Sequence, residues 1–208
     1  MKKLNLWTLS ALLLALNSPL MAAKVGEKAP DFTATDSHAK LHKLADSKGK
    51  YVVLEWHNQS CPFVVSQYKK GKMQKTQDKW TKKGVQWFTV ISSAPGLEGY
   101  VEATAANDDV KKTKAHVTAV FLDPKGTLGH LYEAKCTPHM FVIDSKGVLI
   151  YNGAIDNAPR EDKISKKTQG GEVYVNYVDR ALQENMVEGK KVTLPSTTPY
   201  GCHVKYKD

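Results

Sequence analysis

The chain has 208 residues, 41% of them hydrophobic, enough to bury a real core in one domain with additions. Its formal charge of +9 comes almost entirely from lysine, because Arg160 and Arg180 are the only arginines. Nucleic-acid readers usually add arginine and basic-aromatic clusters, so this balance argues against a nucleic-acid partner and reads as a solvated lysine surface.

Lys2 and Lys3 form a charged leader, residues 6–16 an apolar run, and residues 17–23 a small polar stretch ending Met21-Ala22-Ala23. The apolar run falls short of the ~20 residues that span a bilayer. Residues 1–23 therefore read as a secretory signal peptide cut near Ala22 or Ala23. The mature chain is expected to be periplasmic or secreted, and off the membrane after cleavage. An oxidising compartment permits disulfides. The three cysteines, Cys61, Cys136 and Cys202, are too few for a disulfide-stapled scaffold. Their odd number leaves at least one free, cycling, metal-bound or paired with another chain.

In chain order, residues 24–50 hold Ala29-Pro30-Asp31-Phe32, a polar turn at Asp36-Ser37-His38, and Gly49 as a turn into the first strong strand at 51–56. The Val-Val-Leu run of that strand suits burial on both faces. A helix is predicted over 62–83, with Val65, Tyr68, Met73, Thr76 and Trp80 on one face, Pro62 in its first turn and Gly84 at its stop. Gly71 weakens its interior and marks a kink. A second strand is expected at 85–91, a helix within 96–114, a third strand at 118–122 and a short helical piece through Leu131 and Tyr132. Strands 140–144 and 148–151 form a hairpin across Ser145-Lys146-Gly147. Residues 157–171 read as a loop, 172–186 as the last helix, and 194–208 as an extended tail. Residues 24–193 are then one domain: a mixed central sheet with helices on both faces.

The chemistry concentrates at Cys61, which follows a polar loop and opens a helix. There a thiol meets free backbone N–H groups and the positive end of the dipole, which favour thiolate and bring such cysteines to pKa values of roughly 3.5–7.5. A small buried hydrophobe before a helix is the competing reading.

Ala29-Pro30-Asp31-Phe32, Gly49-Lys50, Cys61 at the strand-to-helix junction, and Thr137-Pro138 before Phe141-Val142-Ile143-Asp144 together resemble a thioredoxin-fold redoxin. That superfamily includes thioredoxins, exported thiol-disulfide oxidoreductases and the peroxiredoxin-like alkyl hydroperoxide reductase and thiol-specific antioxidant proteins. The resemblance implies an α/β thioredoxin-like fold with an N-terminal redoxin extension, and a cis Thr137-Pro138 bond beside a catalytic Cys61. It departs from the pattern at three positions. Val64 stands where thioredoxins carry their second cysteine, Asn58 where peroxiredoxins carry threonine, and Pro138 where they carry arginine.

On this resemblance Cys136, two residues before the cis-proline, is the expected resolving partner of Cys61. The tail segment from Thr198 to Tyr206, with Cys202, resembles the C-terminal end of a little-characterised peroxiredoxin-like subgroup. Cys202 pairs there with Cys61 or Cys136, or pins the tail. His57 and His139 are supporting candidates, as loop polarity or as a base for Cys61. His57 also stands where the copper-delivery proteins of the Sco type carry a cysteine, so His57, Cys61, Cys136 and His139 form a weaker alternative as a copper or zinc site. Asp144 and Asp156 read as strand-end or turn residues. The expected activity is thiol-disulfide exchange on a thiol or disulfide protein partner. Thiol peroxidase chemistry and a non-enzymatic binding module are the alternatives, and no cofactor is expected.

Overall fold

The computed structural model describes residues 22–159 and 173–207, so most of the expected signal peptide and of the 157–171 loop lie outside it. Its centre is a five-stranded sheet. Strand β3 (Val52–Trp56) runs between β4 (Gln86–Ile91), parallel to it, and β7 (His139–Ile143), antiparallel. Beyond them lie β5 (Ala119–Leu122), parallel to β4, and β8 (Leu149–Gly153), which closes the hairpin with β7. Every residue of β3 is buried, as its apolar run implies for a central strand covered on both faces.

Alternation along β3 divides the core. Val53 points to the face covered by α1 (Pro62–Lys69), α2 (Lys72–Thr81) and α5 (Tyr177–Leu182), where it packs with Val64, Met73, Trp80 and Leu182. Val52, Leu54 and Trp56 point to the other face, with Phe32, Phe121, Tyr132 and Phe141. Helix α4 (Thr127–Leu131) supplies Leu128 to this second layer, while α3 (Ala103–Thr113) packs Ala106 on Ile91 and Val120. A short hairpin, β1 (Thr33–Thr35) with β2 (Leu41–Lys43), precedes the sheet.

The predicted helix over 62–83 is broken at Gly71, whose φ of +69° takes the chain out of the α region between α1 and α2. The helix expected within 96–114 starts only at Ala103, because Gly96 and Gly99 both take positive φ and form turns first. The last helix starts at Tyr177 rather than 172. Asn176 caps it by accepting the Asp179 N–H at 2.8 Å, which leaves Val173 and Val175 ahead of the cap and outside the helical stripe.

The tail departs furthest from expectation. It does run extended, but it packs on the domain. Ser196 bridges Asn152, and β9 (Cys202–His203) pairs antiparallel with β6 (Cys136–Thr137), just before the cis Thr137-Pro138 bond. Gly201 makes the close approach possible, since a Cβ there would stand 1.9 Å from the Thr137 carbonyl oxygen. No helix among the described residues is long and apolar enough to cross a membrane.

Candidate functional site

Cys61 is the N-cap of α1 and fully buried, with Pro62 in the first turn. Its Sγ lies 3.1 Å from the Thr137 carbonyl oxygen, so the cis-proline loop and the helix mouth meet at this sulphur. The neighbouring thiol is Cys202, with Sγ–Sγ 2.8 Å.

The expected partner, Cys136, lies on β6, and the register of the tail sets it apart from this pair of sulphurs. In the β6–β9 pair Thr137 faces Cys202, while Cys136 faces His203. Successive residues of a strand point to opposite sides, so pairing that brings Cys202 over Cys61 turns Cys136 away. The Cys136 thiol contacts the Pro138 carbonyl oxygen at 3.8 Å and lines a cleft of about 670 Å³ with His139, Asn152 and tail residues 196–201.

The two facing thiols are tuned in opposite directions. Burial pulls the Cys61 thiol upward. The Cys202 thiol, the Thr137 side chain and the Val64 and Cys202 backbone N–H groups outweigh that, so its pKa falls below the ordinary value. Cys202 is pushed up to about 12 by burial and by the charge and hydrogen bond of Cys61. Cys136 is pushed up to about 12 by burial and, less, by Cys61. Of the three, Cys61 is the thiol favoured as thiolate.

Both histidines are engaged by groups other than Cys61. His57 is buried and its two ring nitrogens face carboxylates: Nδ1 lies 3.5 Å from Glu55 Oε1 and Nε2 3.2 Å from Asp109 Oδ2. Burial opposes the charge, but the two carboxylates raise its pKa to about 9, so it is an imidazolium at neutral pH with no free site to take a proton. His139 is the reverse case. The Lys135 N–H donates to its Nδ1 at 3.2 Å and its Nε2–H donates to Asn152 Oδ1 at 2.7 Å. Burial lowers its pKa to about 4, so it is a satisfied neutral side chain.

With His57 and His139 engaged in this way and Cys136 turned aside, the alternative Cys/His metal site does not assemble. Among the described residues no group of three or more His, Cys, Asp and Glu is placed to hold a metal ion. Asn58 is likewise spoken for. Its Oδ1 accepts the Ser60 N–H at 2.8 Å and its Nδ2 donates to the Glu98 carbonyl at 3.3 Å, pinning the loop beside the site.

Two buried carboxylates carry more than the sequence reading gave them: Glu55 is not singled out there, and Asp156 reads only as a strand-end or turn residue. Glu55 is fully buried in β3 and accepts from Tyr68 Oη at 2.8 Å, Gln77 Nε2 at 3.1 Å and Trp87 Nε1 at 2.7 Å. A glutamate inside an apolar strand run was the available signal. Asp156 is 1% exposed and accepts from Gln67 Nε2 at 2.9 Å, Tyr174 Oη at 3.1 Å, the Ala158 N–H at 2.9 Å and Tyr200 Oη. It sits in a stretch with no local pattern, and nothing in the sequence marks its burial or its partners. Asp144 does cap the β7–β8 turn, accepting the Lys146 and Val148 N–H groups at 2.9 and 2.8 Å.

The sequence profile of the AhpC/TSA family matches residues 25–152, more than half of the chain. The chain belongs to the AhpC/TSA family. It is thus a redoxin, an oxidoreductase acting on disulfides or peroxides. No curated protein matches the sequence of this AhpC/TSA chain.

Solved structures show the same thioredoxin-like fold. An uncharacterised conserved protein from Geobacillus kaustophilus aligns with TM-score 0.75 and 20% identity, covering 88% of this chain and 93% of its own. A hypothetical protein from Sinorhizobium meliloti 1021 aligns with TM-score 0.73 and 21% identity, over 90% and 97%. A putative thiol:disulfide interchange protein DsbE from Chlorobium tepidum aligns with TM-score 0.54 and 23% identity, over 80% and 98%. The family match ends at residue 152, so Asp156 and the Cys202 tail lie beyond it.

Proposed function

We propose that this AhpC/TSA protein is an exported thiol–disulfide redox protein whose redox pair is Cys61, the buried sulphur favoured as thiolate, and Cys202, the partly exposed sulphur that meets the substrate. The observation that carries the reading is the 2.8 Å approach of the two sulphurs, one favoured as thiolate and one held as thiol. In the oxidised protein they form a disulfide. Cys202 is partly exposed while Cys61 is fully buried, so an external thiolate meets the Cys202 sulphur. The new S–S bond forms there, the Cys61–Cys202 bond breaks, and the electron pair leaves on Cys61, the better leaving group of the two. A second thiol of the substrate, deprotonated, then displaces Cys202 as a thiolate that takes up a proton. The substrate leaves as a disulfide and the protein as a reduced pair. Run backward, the same steps reduce a substrate disulfide. Thr137 and Pro138 act in this reading by holding the tail register and the Thr137 carbonyl against the Cys61 sulphur.

The test is mass-spectrometric mapping of all three cysteines before and after dithiothreitol. A Cys61–Cys202 linked peptide that disappears on reduction, and that persists in Cys136→Ser, is the expected result. A Cys61–Cys136 link, or three free thiols after treatment with oxidised glutathione, overturns the assignment.

Family membership also supports peroxide as a substrate class. Peroxide would oxidise Cys61 to a sulfenic acid that condenses with Cys202 to the same disulfide, releasing water. Asn58 in place of the peroxiredoxin threonine and Pro138 in place of its arginine weigh for disulfide exchange. Sulfenic acid formed on Cys61 only at millimolar peroxide is the result expected. Export is tested by fractionating cells that make the full chain, and retention in the cytoplasm would remove that part of the reading.

A further inference from the structure

We propose that Asp156 is a positioning residue for the sulphur pair: its one buried carboxylate ties the helix that carries Cys61 to the tail that carries Cys202. On the helix side it accepts from Gln67 Nε2 at 2.9 Å, and Gln67 lies on α1, the helix that Cys61 caps. On the tail side it accepts from the hydroxyl of Tyr200, two residues before Cys202. Gln67 Nε2 also lies 3.2 Å from Tyr200 Oη, which closes a triangle of carboxylate, amide and phenol. The Tyr200 ring packs on Phe63, with centroids 5.9 Å apart, so the clamp spans the first turn of the helix as well. The inference rests on the reading of Cys61 and Cys202 as a redox pair.

Three features favour positioning over a general structural role. Asp156 is 1% exposed, yet its side-chain partners come from different parts of the chain, and two of them belong to the sulphur-bearing elements. An ionised acceptor in a buried site makes short, charge-assisted bonds that fix direction as well as distance. The Tyr200 hydroxyl, held far above its ordinary pKa by burial and by Asp156, stays a donor throughout the working pH range. With Cys61 and Cys202 as free thiols no covalent bond joins α1 to the tail, so the meeting of the sulphurs depends on such anchors.

The experiment measures the effective concentration of the Cys61–Cys202 pair against a glutathione redox buffer, in the full chain and in Asp156→Asn and Tyr200→Phe. Melting of the reduced proteins is followed alongside. Asp156→Asn is expected to lower the effective concentration by about 10- to 100-fold, and Tyr200→Phe by about 3- to 10-fold. The double variant falls no further than Asp156→Asn alone, because the two act through one contact. Asp36→Asn is the control, since Asp36 is a buried carboxylate that accepts from His42 on β2 at 2.7 Å and from the His38 and Lys40 N–H groups, none of them on α1 or the tail. It is expected to lower the melting temperature and leave the pair unchanged.

A purely structural Asp156 would behave like Asp36. Wild-type effective concentrations in both Asp156→Asn and Tyr200→Phe overturn the clamp while leaving the redox pair standing. If Asp156→Asn fails to fold, Tyr200→Phe alone decides. If the wild-type chain forms no Cys61–Cys202 disulfide, the redox reading and the clamp fall together.

Discussion

Substituting Gly201 with alanine tests the tail geometry by sterics alone. A Cβ at Gly201 would stand 1.9 Å from the Thr137 carbonyl oxygen and 2.6 Å from its carbon, and both are backbone atoms that no rotamer change can move. Ordinary contact begins near 3.4 Å, so the tail must retreat from the cis-proline loop by about 1.5 Å. The φ of +140° adds strain of about 1–3 kcal/mol for an L side chain. Cys202 is the next residue, so the retreat carries its sulphur away from Cys61. A misplacement of about 1 Å lowers effective molarity by about 100-fold, which for a two-electron couple is about 60 mV. The assay is the equilibrium of the Cys61–Cys202 disulfide with glutathione, read by mass spectrometry of the alkylated protein. Gly189→Ala separates strain from collision. Gly189 also has positive φ, +64°, but nothing lies within 4 Å of its added Cβ, so it is expected to leave the potential unchanged. A folded Gly201→Ala with the wild-type potential would refute the reasoning, because the tail could then not be seated against Thr137.

The two buried histidines predict a pH profile of stability with limbs of opposite sign. The His57 pKa is raised to about 9, so its contribution is fully present below pH 6.5 and is lost as the pH rises toward 9. The His139 pKa is lowered to about 4, so the stability of its neutral form is present above pH 6.5 and is lost as the pH falls toward 4. Each limb amounts to about 3 kcal/mol at most, and urea midpoints between pH 4 and 9.5 should peak near the middle. A flat alkaline limb would remove the Glu55–His57–Asp109 ion pairing. His57→Gln leaves Glu55 and Asp109 without their cation and is expected to lose about 3–5 kcal/mol at pH 6, with a smaller deficit at pH 10. An equal deficit at both pH values would mean that shape, not charge, makes His57 matter.

The local features of the site were legible residue by residue. The apolar run of β3 announced a central strand, Pro62 a helix start, Gly71 a kink, and the position of Cys61 a thiol at a helix mouth. Each is decided by the chain within a few residues of itself. The resemblance carried by Thr137-Pro138 and Phe141-Val142-Ile143-Asp144 added the fold and the neighbour of that thiol, and the sheet order agrees with it. His57, by contrast, read as loop polarity, a base for Cys61 or a metal ligand, because the carboxylates that charge it lie on a buried strand position and on α3.

By itself the sequence determined where a thiol sits at a helix mouth, what fold holds it, and that no second cysteine stands one turn along the helix. Only the tertiary structure decided which sulphur lies against it. That choice turns on the register of β9 against β6, where a shift of one residue would exchange Cys202 for its neighbour, and on Asp156, which gathers α1 and the tail from 89 and 44 residues away. Strand alternation and a shared buried carboxylate act across the fold, between segments whose spacing along the chain carries no trace of their meeting.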